Sequence, residues 1–208
     1  MPTTNGKMPD FDFAQLKAAL IMAGRKSFKE ILARHSVETF YCVGLFTSGS
    51  YAYLLPTAMT EEGLDTAARE YQKKSPYAKE SFERVRTLLR WSPCDSPLHL
   101  EGKEYFKEVD ASMDQFSAAL NRIDTGYGWV VFDSFRNSLE TAICNVLGDL
   151  DREGLFGRGI DRERIFLTVL MGDQDDSILR IGRRLNPHAT MKRIKKEWDE
   201  WGKLWRQT

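Results

Sequence analysis

Three aspartates, Asp173, Asp175 and Asp176, follow directly on the apolar run at residues 165–171. Carboxylates gathered behind a buried strand offer hard oxygen ligands to Mg²⁺ or Ca²⁺, and open α/β sheets collect ligands at the carboxyl ends of their strands. An aspartate ahead of a helix also has ordinary work to do, because it caps free amides while its neighbours are solvated. The spacing does not supply the ligands and placed glycine of an EF-hand loop. A second group, Cys94, Asp95 and His99, shares one loop. A thiol beside an imidazole is the pair from which a nucleophile and its base are built. Pro93 and Pro97 explain the same loop without chemistry.

Other chemical motifs are missing. His35, His99 and His188 are dispersed, with no pair at metal-ligand spacing. The glycines at 154, 157 and 159 follow a helical pattern instead of a strand and lack the order of a phosphate-binding loop. No Gly-x-Ser-x-Gly elbow is present. The residues therefore nominate no catalytic group and no cofactor.

The C-terminal segment carries a different signal. Ile194, Trp198, Trp201 and Trp205 recur four, three and four residues apart, which places them on one helical face. Lys192, Arg193, Lys195, Lys196, Lys203 and Arg206 decorate the rest. The tryptophan face either docks on a sheet as core or is offered to a partner or a second copy, since Trp and Arg are favoured at interfaces. A basic amphipathic helix can also lie on a membrane, but Glu197, Asp199 and Glu200 oppose that.

The elements that would position these groups are readable in order. Residues 38–56 hold two aromatic and β-branched runs around Thr47-Ser48-Gly49-Ser50, a hairpin pattern whose second strand runs from Tyr51 to Leu55 and ends at Pro56. Phe40, Cys42, Gly44 and Phe46 fall on one face, and Thr39, Tyr41, Val43 and Leu45 on the other. Both faces are largely apolar, so both are expected to be covered. A helix capped by Asp10 or Asp12 runs to about His35, with Gly24 marking a bend. Thr60 caps the next helix, Ser75-Pro76 starts another, and residues 91–97 form an ordered loop. Residues 101–123 return to helix. Residues 129–132 are a short strand or the lead into the helix at 134–151. The run at 165–171 is a buried strand, followed by a helix with Ile178, Leu179, Ile181 and Leu185 and a last helix over residues 188–205.

The expected fold is α+β: a small mixed or antiparallel sheet with a central hairpin, covered by about six or seven helices. Residues 1–9 are expected to be a loose tail and residues 10–208 one domain, with the glycine loop at 154–159 as the best candidate for a boundary.

Composition narrows the function. The 208 residues carry 30 basic and 30 acidic side chains, so bulk charge gives no reason to expect nucleic acid or an anionic membrane as partner. No segment approaches a membrane span and no leader is evident. Three widely separated cysteines, Cys42, Cys94 and Cys144, point to reduced thiols and a cytoplasmic setting.

In combination, the stretches Phe40-Tyr41-Cys42-Val43-Gly44-Leu45-Phe46, Thr60-Glu61-Glu62-Gly63-Leu64, Trp91-Ser92-Pro93, Gly172-Asp173-Gln174-Asp175-Asp176 and Leu185-Asn186-Pro187 resemble a bacterial domain of unknown function, DUF4303. The resemblance covers about residues 12–190. Where such families typically read Asn-Thr-Glu after the second strand, this chain has Met59-Thr60-Glu61, so no role of that asparagine carries over. The resemblance implies no activity. Small bacterial α+β domains of this size often serve as immunity or interaction proteins, an analogy at the level of fold class. The leading expectation is thus a non-enzymatic, cytoplasmic, bacterial protein-binding domain whose partner is another protein or a second copy, bound through Trp198, Trp201 and Trp205. The alternative is a small enzyme or metal-dependent protein that uses Asp173, Asp175 and Asp176 with the loop at 91–99.

Overall fold

The computed structural model describes residues 9–74, 76–123, 129–172 and 177–206. Helix α1 (Phe13–Arg34) begins where the Asp12 carboxylate accepts a hydrogen bond from the Gln15 amide at 2.9 Å. It is continuous through Gly24, contrary to the expected bend. A β-carbon on Gly24 would lie 3.1 Å from the Leu150 side chain, so this glycine permits close helix packing.

Among the described residues the sheet has three strands in the order β2-β1-β3. Strand β1 (Phe40–Thr47) pairs antiparallel with β2 (Leu55–Thr60) and parallel with β3 (Phe166–Met171). It is mixed, with β1 at its centre, as its doubly apolar sequence requires. Gly44 sits opposite Thr168, and a β-carbon there would come within 1.9 Å of the Thr168 carbonyl oxygen. Only glycine fits between these two strands.

Two details of the hairpin differ from expectation. Strand β2 lies later: Pro56 pairs with Leu45 inside the ladder, and Tyr51 belongs to the connection with a left-handed φ of 57°. Proline is tolerated because β2 is an edge strand. Its carbonyl points away from β1 and accepts from the Leu100 amide at 3.2 Å, so its nitrogen, on the same side, is not missed by the ladder. Strand β1 carries an irregularity between Phe40 and Cys42. Phe40 joins Val43 and Leu45 in one core, while Tyr41 joins Cys42 and Phe46 in the other. A bulge resets the inside–outside alternation, so simple alternation fails at residues 40 and 41.

Two apolar layers cover the sheet. One holds α1, α4 (Lys107–Leu120) and α5 (Trp129–Arg152), which bury Leu16, Leu20, Phe28, Met113, Phe116, Leu139 and Leu147 against Val43, Leu45 and Val169. The other holds α2 (Glu61–Gln72), α3 (Phe82–Leu89) and α8 (His188–Trp205), which bury Leu64, Val85, Leu89, Ile194, Trp198 and Trp201 against Cys42, Phe166 and Leu170. Helix α7 (Ser177–Leu185) contributes to both, through Ile181 and Leu185 on one side and Ile178 and Leu179 on the other. Residues 129–132 are helical, the first turn of α5. The expected helix at 101–123 splits into a tight turn at Lys103–Phe106 and α4. Ser81, not Ser75-Pro76, caps α3, its hydroxyl accepting from the Arg84 amide at 3.2 Å.

The glycine loop at 154–159 buries Phe156 against Phe28 and leads into a short helix, α6 (Gly159–Arg164), whose polar sequence gave no apolar signal. Arg162 anchors it: its buried guanidinium donates to the carbonyls of Ile165 (2.7 Å) and Leu185 (2.9 Å) and to the Asp151 carboxylate (2.5 Å). The tail at residues 1–8 lies outside the described residues. No described helix is long and apolar enough to cross a membrane.

Candidate functional site

Helix α8 is held by its tryptophans and by charge. Asn186 sets its start. The Asn186 amide accepts from the Leu167 backbone N–H at 2.8 Å and donates to the Leu167 carbonyl at 2.6 Å, pairing with the exposed edge of β3 as a strand would. Pro187 then ends α7 and opens α8. Trp201 donates its indole N–H to the Leu88 carbonyl at 3.2 Å. Its ring lies 4.8 Å from Trp198, which in turn lies 6.1 Å from the buried Trp91.

An ionic bridge fastens the same helix to α2 and α3. The Arg90 guanidinium donates twice to Glu61 (3.0 Å each) and once to Glu197 (2.7 Å), and it lies 4.3 Å over the Tyr41 ring. Burial alone would raise the Glu61 carboxyl, but Arg90 and Arg86 hold it below the ordinary carboxylate range. The Tyr41 hydroxyl, pushed well upward by burial, stays protonated and donates to the Arg90 carbonyl at 2.8 Å.

The tryptophan stripe is therefore divided. Trp198 is 7% exposed and Trp201 is 6% exposed, so both are core residues and not free binding surface. Trp205 stacks on Trp201 at 5.6 Å yet remains 57% exposed. Spacing defines a helical face; whether a neighbour covers the end of that face depends on tertiary placement, which spacing does not carry.

The outward side of α8 meets α7 in a groove of ≈ 1230 Å³. Leu179, Ala189 and Met191 form its apolar part, and the basic side chains of both helices surround it. Lys195 pairs with Asp199 at 2.6 Å and Lys196 with Glu200 at 3.9 Å. Exposed pairs of this kind contribute about 0.3–0.5 kcal/mol and exchange readily for other partners. Arg193 is committed differently, to the carbonyls of Glu163 and Arg164 and to Glu197. Arg183, Lys192, Lys195, Lys196 and Lys203 lie on the outward edges of two consecutive helices. That signal is present in the sequence, but it becomes a groove only once α7 and α8 are packed side by side.

The loop at 91–99 is fastened from several sides. Asp95 accepts hydrogen bonds from the Tyr71 hydroxyl and from Ser92, each at 2.5 Å. Ser96 donates to the Ala58 carbonyl at 2.7 Å. The His99 Nδ1 lies 3.3 Å from the Thr57 hydroxyl, and its ring stands edge-on to Phe46 at 4.8 Å. Burial holds His99 below its ordinary value, with Asp95 opposing. Burial and then Asp95 push the Cys94 thiol upward, away from the thiolate a nucleophile needs. These polar groups tie the loop to α2 and β2 and do not activate the thiol.

Asp173, Asp175 and Asp176 lie outside the described residues. Among the described residues, no three His, Cys, Asp or Glu side chains gather as a metal ion requires.

Two charged clusters carry no mark in the sequence. Glu140 on α5 is 4% exposed and accepts from Arg180 (2.6 Å), Arg184 (3.2 Å) and the Tyr51 hydroxyl (3.2 Å), joining α5, α7 and the β1–β2 connection. His35, at the end of α1, lies between Glu38 (2.7 Å) and Glu101 (3.0 Å). Glu38 in turn accepts from Thr60, the cap of α2, at 2.5 Å. Apart from His35 and Glu38, three residues apart, these partners are separated by 22 to 89 residues, so no local pattern marks the clusters.

A family description, Domain of unknown function (DUF4303), matches residues 20–187. No curated protein and no solved structure matches the chain.

Proposed function

The chain belongs to the DUF4303 family, whose description names no activity, and from the geometry of this member we propose that it is a non-enzymatic protein-binding domain of the bacterial cytoplasm. The observation that carries this reading is the divided tryptophan stripe. Helix α8 is immobilised by Trp198 and Trp201 and presents the large apolar ring of Trp205 at its outer end. A rigidly mounted, exposed Trp is the residue type that most often dominates a protein interface. The exposed Lys203 and Arg206, beside it at the same helix end, supply the polar rim that such anchors have. The partner is a different protein or a second copy. The cytoplasmic part of the reading is supported by the thiols: Cys94 is free and exposed, and Cys42 and Cys144 are free and buried, a pattern at home in a reducing compartment.

The test is capture from the native cell followed by light scattering. One protein in fixed stoichiometry, or a concentration-dependent dimer, is expected, and Trp205→Ala is expected to weaken it about tenfold or more while the chain stays folded. A strict monomer that captures nothing specific, or a complex indifferent to Trp205→Ala, overturns the proposal.

A further inference from the structure

We infer that the groove between α7 and α8 receives an acidic, amphipathic helical segment of a partner protein, an inference that rests on the protein-binding reading above. The rim carries Arg183, Lys192, Arg193, Lys195, Lys196 and Lys203 against only Asp199 and Glu200. The chain as a whole has no net charge, so this is a local concentration of positive charge. Among the described residues, Arg183, Lys192 and Lys203 have no ionic partner, and all three are exposed. Lys195 and Lys196 hold only surface pairs along their own helix, which incoming carboxylates can replace. The rim therefore complements a carboxylate-bearing ligand.

The floor decides what kind of ligand. Leu179, Ala189 and Met191 give an apolar strip between the cations, and methionine adapts to irregular apolar shapes. From Lys192 to Lys203 the helix rises about 16 Å, or three turns, at about 1.5 Å per residue. A three- to four-turn helix with apolar residues down one face and acids on its flanks matches both features, in the helix-in-groove mode of recognition. Single-stranded nucleic acid would satisfy the cations but not the aliphatic floor, because no Phe, Tyr or Trp lines this groove and the one ring there, His188, gives no platform for successive bases.

The test uses the full chain and a fluorescent four-turn helical peptide with leucines at helical spacing and glutamates between them. Controls are the same peptide with every Glu replaced by Gln and a single-stranded DNA oligonucleotide. The acidic peptide is expected to bind about tenfold or more tightly than the Gln peptide, less so as salt is raised. Lys192→Glu with Lys203→Glu is expected to remove that preference, with helical circular dichroism unchanged. Lys29→Glu with Lys103→Glu, at exposed sites on other elements, is expected to preserve it. Equal binding of the two peptides, indifference to the α8 reversals, or tighter binding of the oligonucleotide overturns the inference. If the groove fails while Trp205→Ala still disrupts a captured complex, the protein-binding reading stands and only this groove is removed from it.

Discussion

Replacing Trp201 and Trp205 by alanine, one at a time, separates the two roles combined in α8. Trp201 is 6% exposed, so truncation removes nearly all of its buried surface. A tryptophan buries up to about 250 Å², worth up to about 6 kcal/mol at roughly 25 cal/mol per Å². Losing the hydrogen bond to Leu88 adds about 1 kcal/mol, and collapse of the surroundings recovers part of the total. The expected loss is therefore about 3–5 kcal/mol, a large part of the roughly 5–15 kcal/mol that holds a domain folded. Trp205 is 57% exposed and buries less than half as much. It lies in the last turn of α8, stacked on the outer side of the Trp201 ring. About 1 kcal/mol is expected for that change. Guanidinium unfolding followed by circular dichroism measures both. A gap of about 2–4 kcal/mol between the variants agrees with this geometry. Equal losses, or the larger loss at Trp205, would refute the division of the stripe into core and surface.

Three other outcomes are expected. Gly44→Ala puts a β-carbon 1.9 Å from the Thr168 carbonyl and forces β1 from β3, so a loss above about 3 kcal/mol or outright failure to fold is expected in the same unfolding assay. For His35, burial alone would lower its pKa, but Glu38 and Glu101 more than offset this and the net shift is upward. A raised folded pKa makes its stabilisation complete below the unfolded value of about 6.5 and lost as pH rises through the folded value. Unfolding from pH 5 to 8 should show a decline with rising pH that His35→Gln removes. Toward a thiol reagent Cys94 should react first, and slowly because its thiol is raised; Cys42 (about 12) and Cys144 (about 11) should react only on unfolding.

Much of the architecture follows from local pattern. Asp12 and Thr60 cap helices because their side chains reach the amides of Gln15 and Gly63, a chemistry visible in single residues. The apolar run ending at Met171 becomes the parallel strand, and Asn186-Pro187 separates α7 from α8. Reading Pro56 as a strand end puts the second strand of the hairpin too early. Its tolerance inside β2 depends on that strand being an edge and on Leu100 supplying the outward hydrogen bond, both non-local facts. The inversion at Phe40 and Tyr41 has the same origin, since a bulge is defined by the partner strand. The candidate site divides similarly. Helical spacing placed all three tryptophans of α8 on one face, but only packing against α3 distinguishes buried Trp201 from exposed Trp205. The groove needed the charges of Arg183 and Lys192 to be brought together by a helical corner that the sequence marks without giving its angle.

The proposed function turns on Trp205. Titration calorimetry of the purified partner against the wild-type chain and against Trp205→Ala, with the melting temperature of each measured alongside, tests it most directly. A rise in Kd of about tenfold or more with a nearly unchanged melting temperature is expected; identical dissociation constants would contradict the assignment of α8 as the binding element.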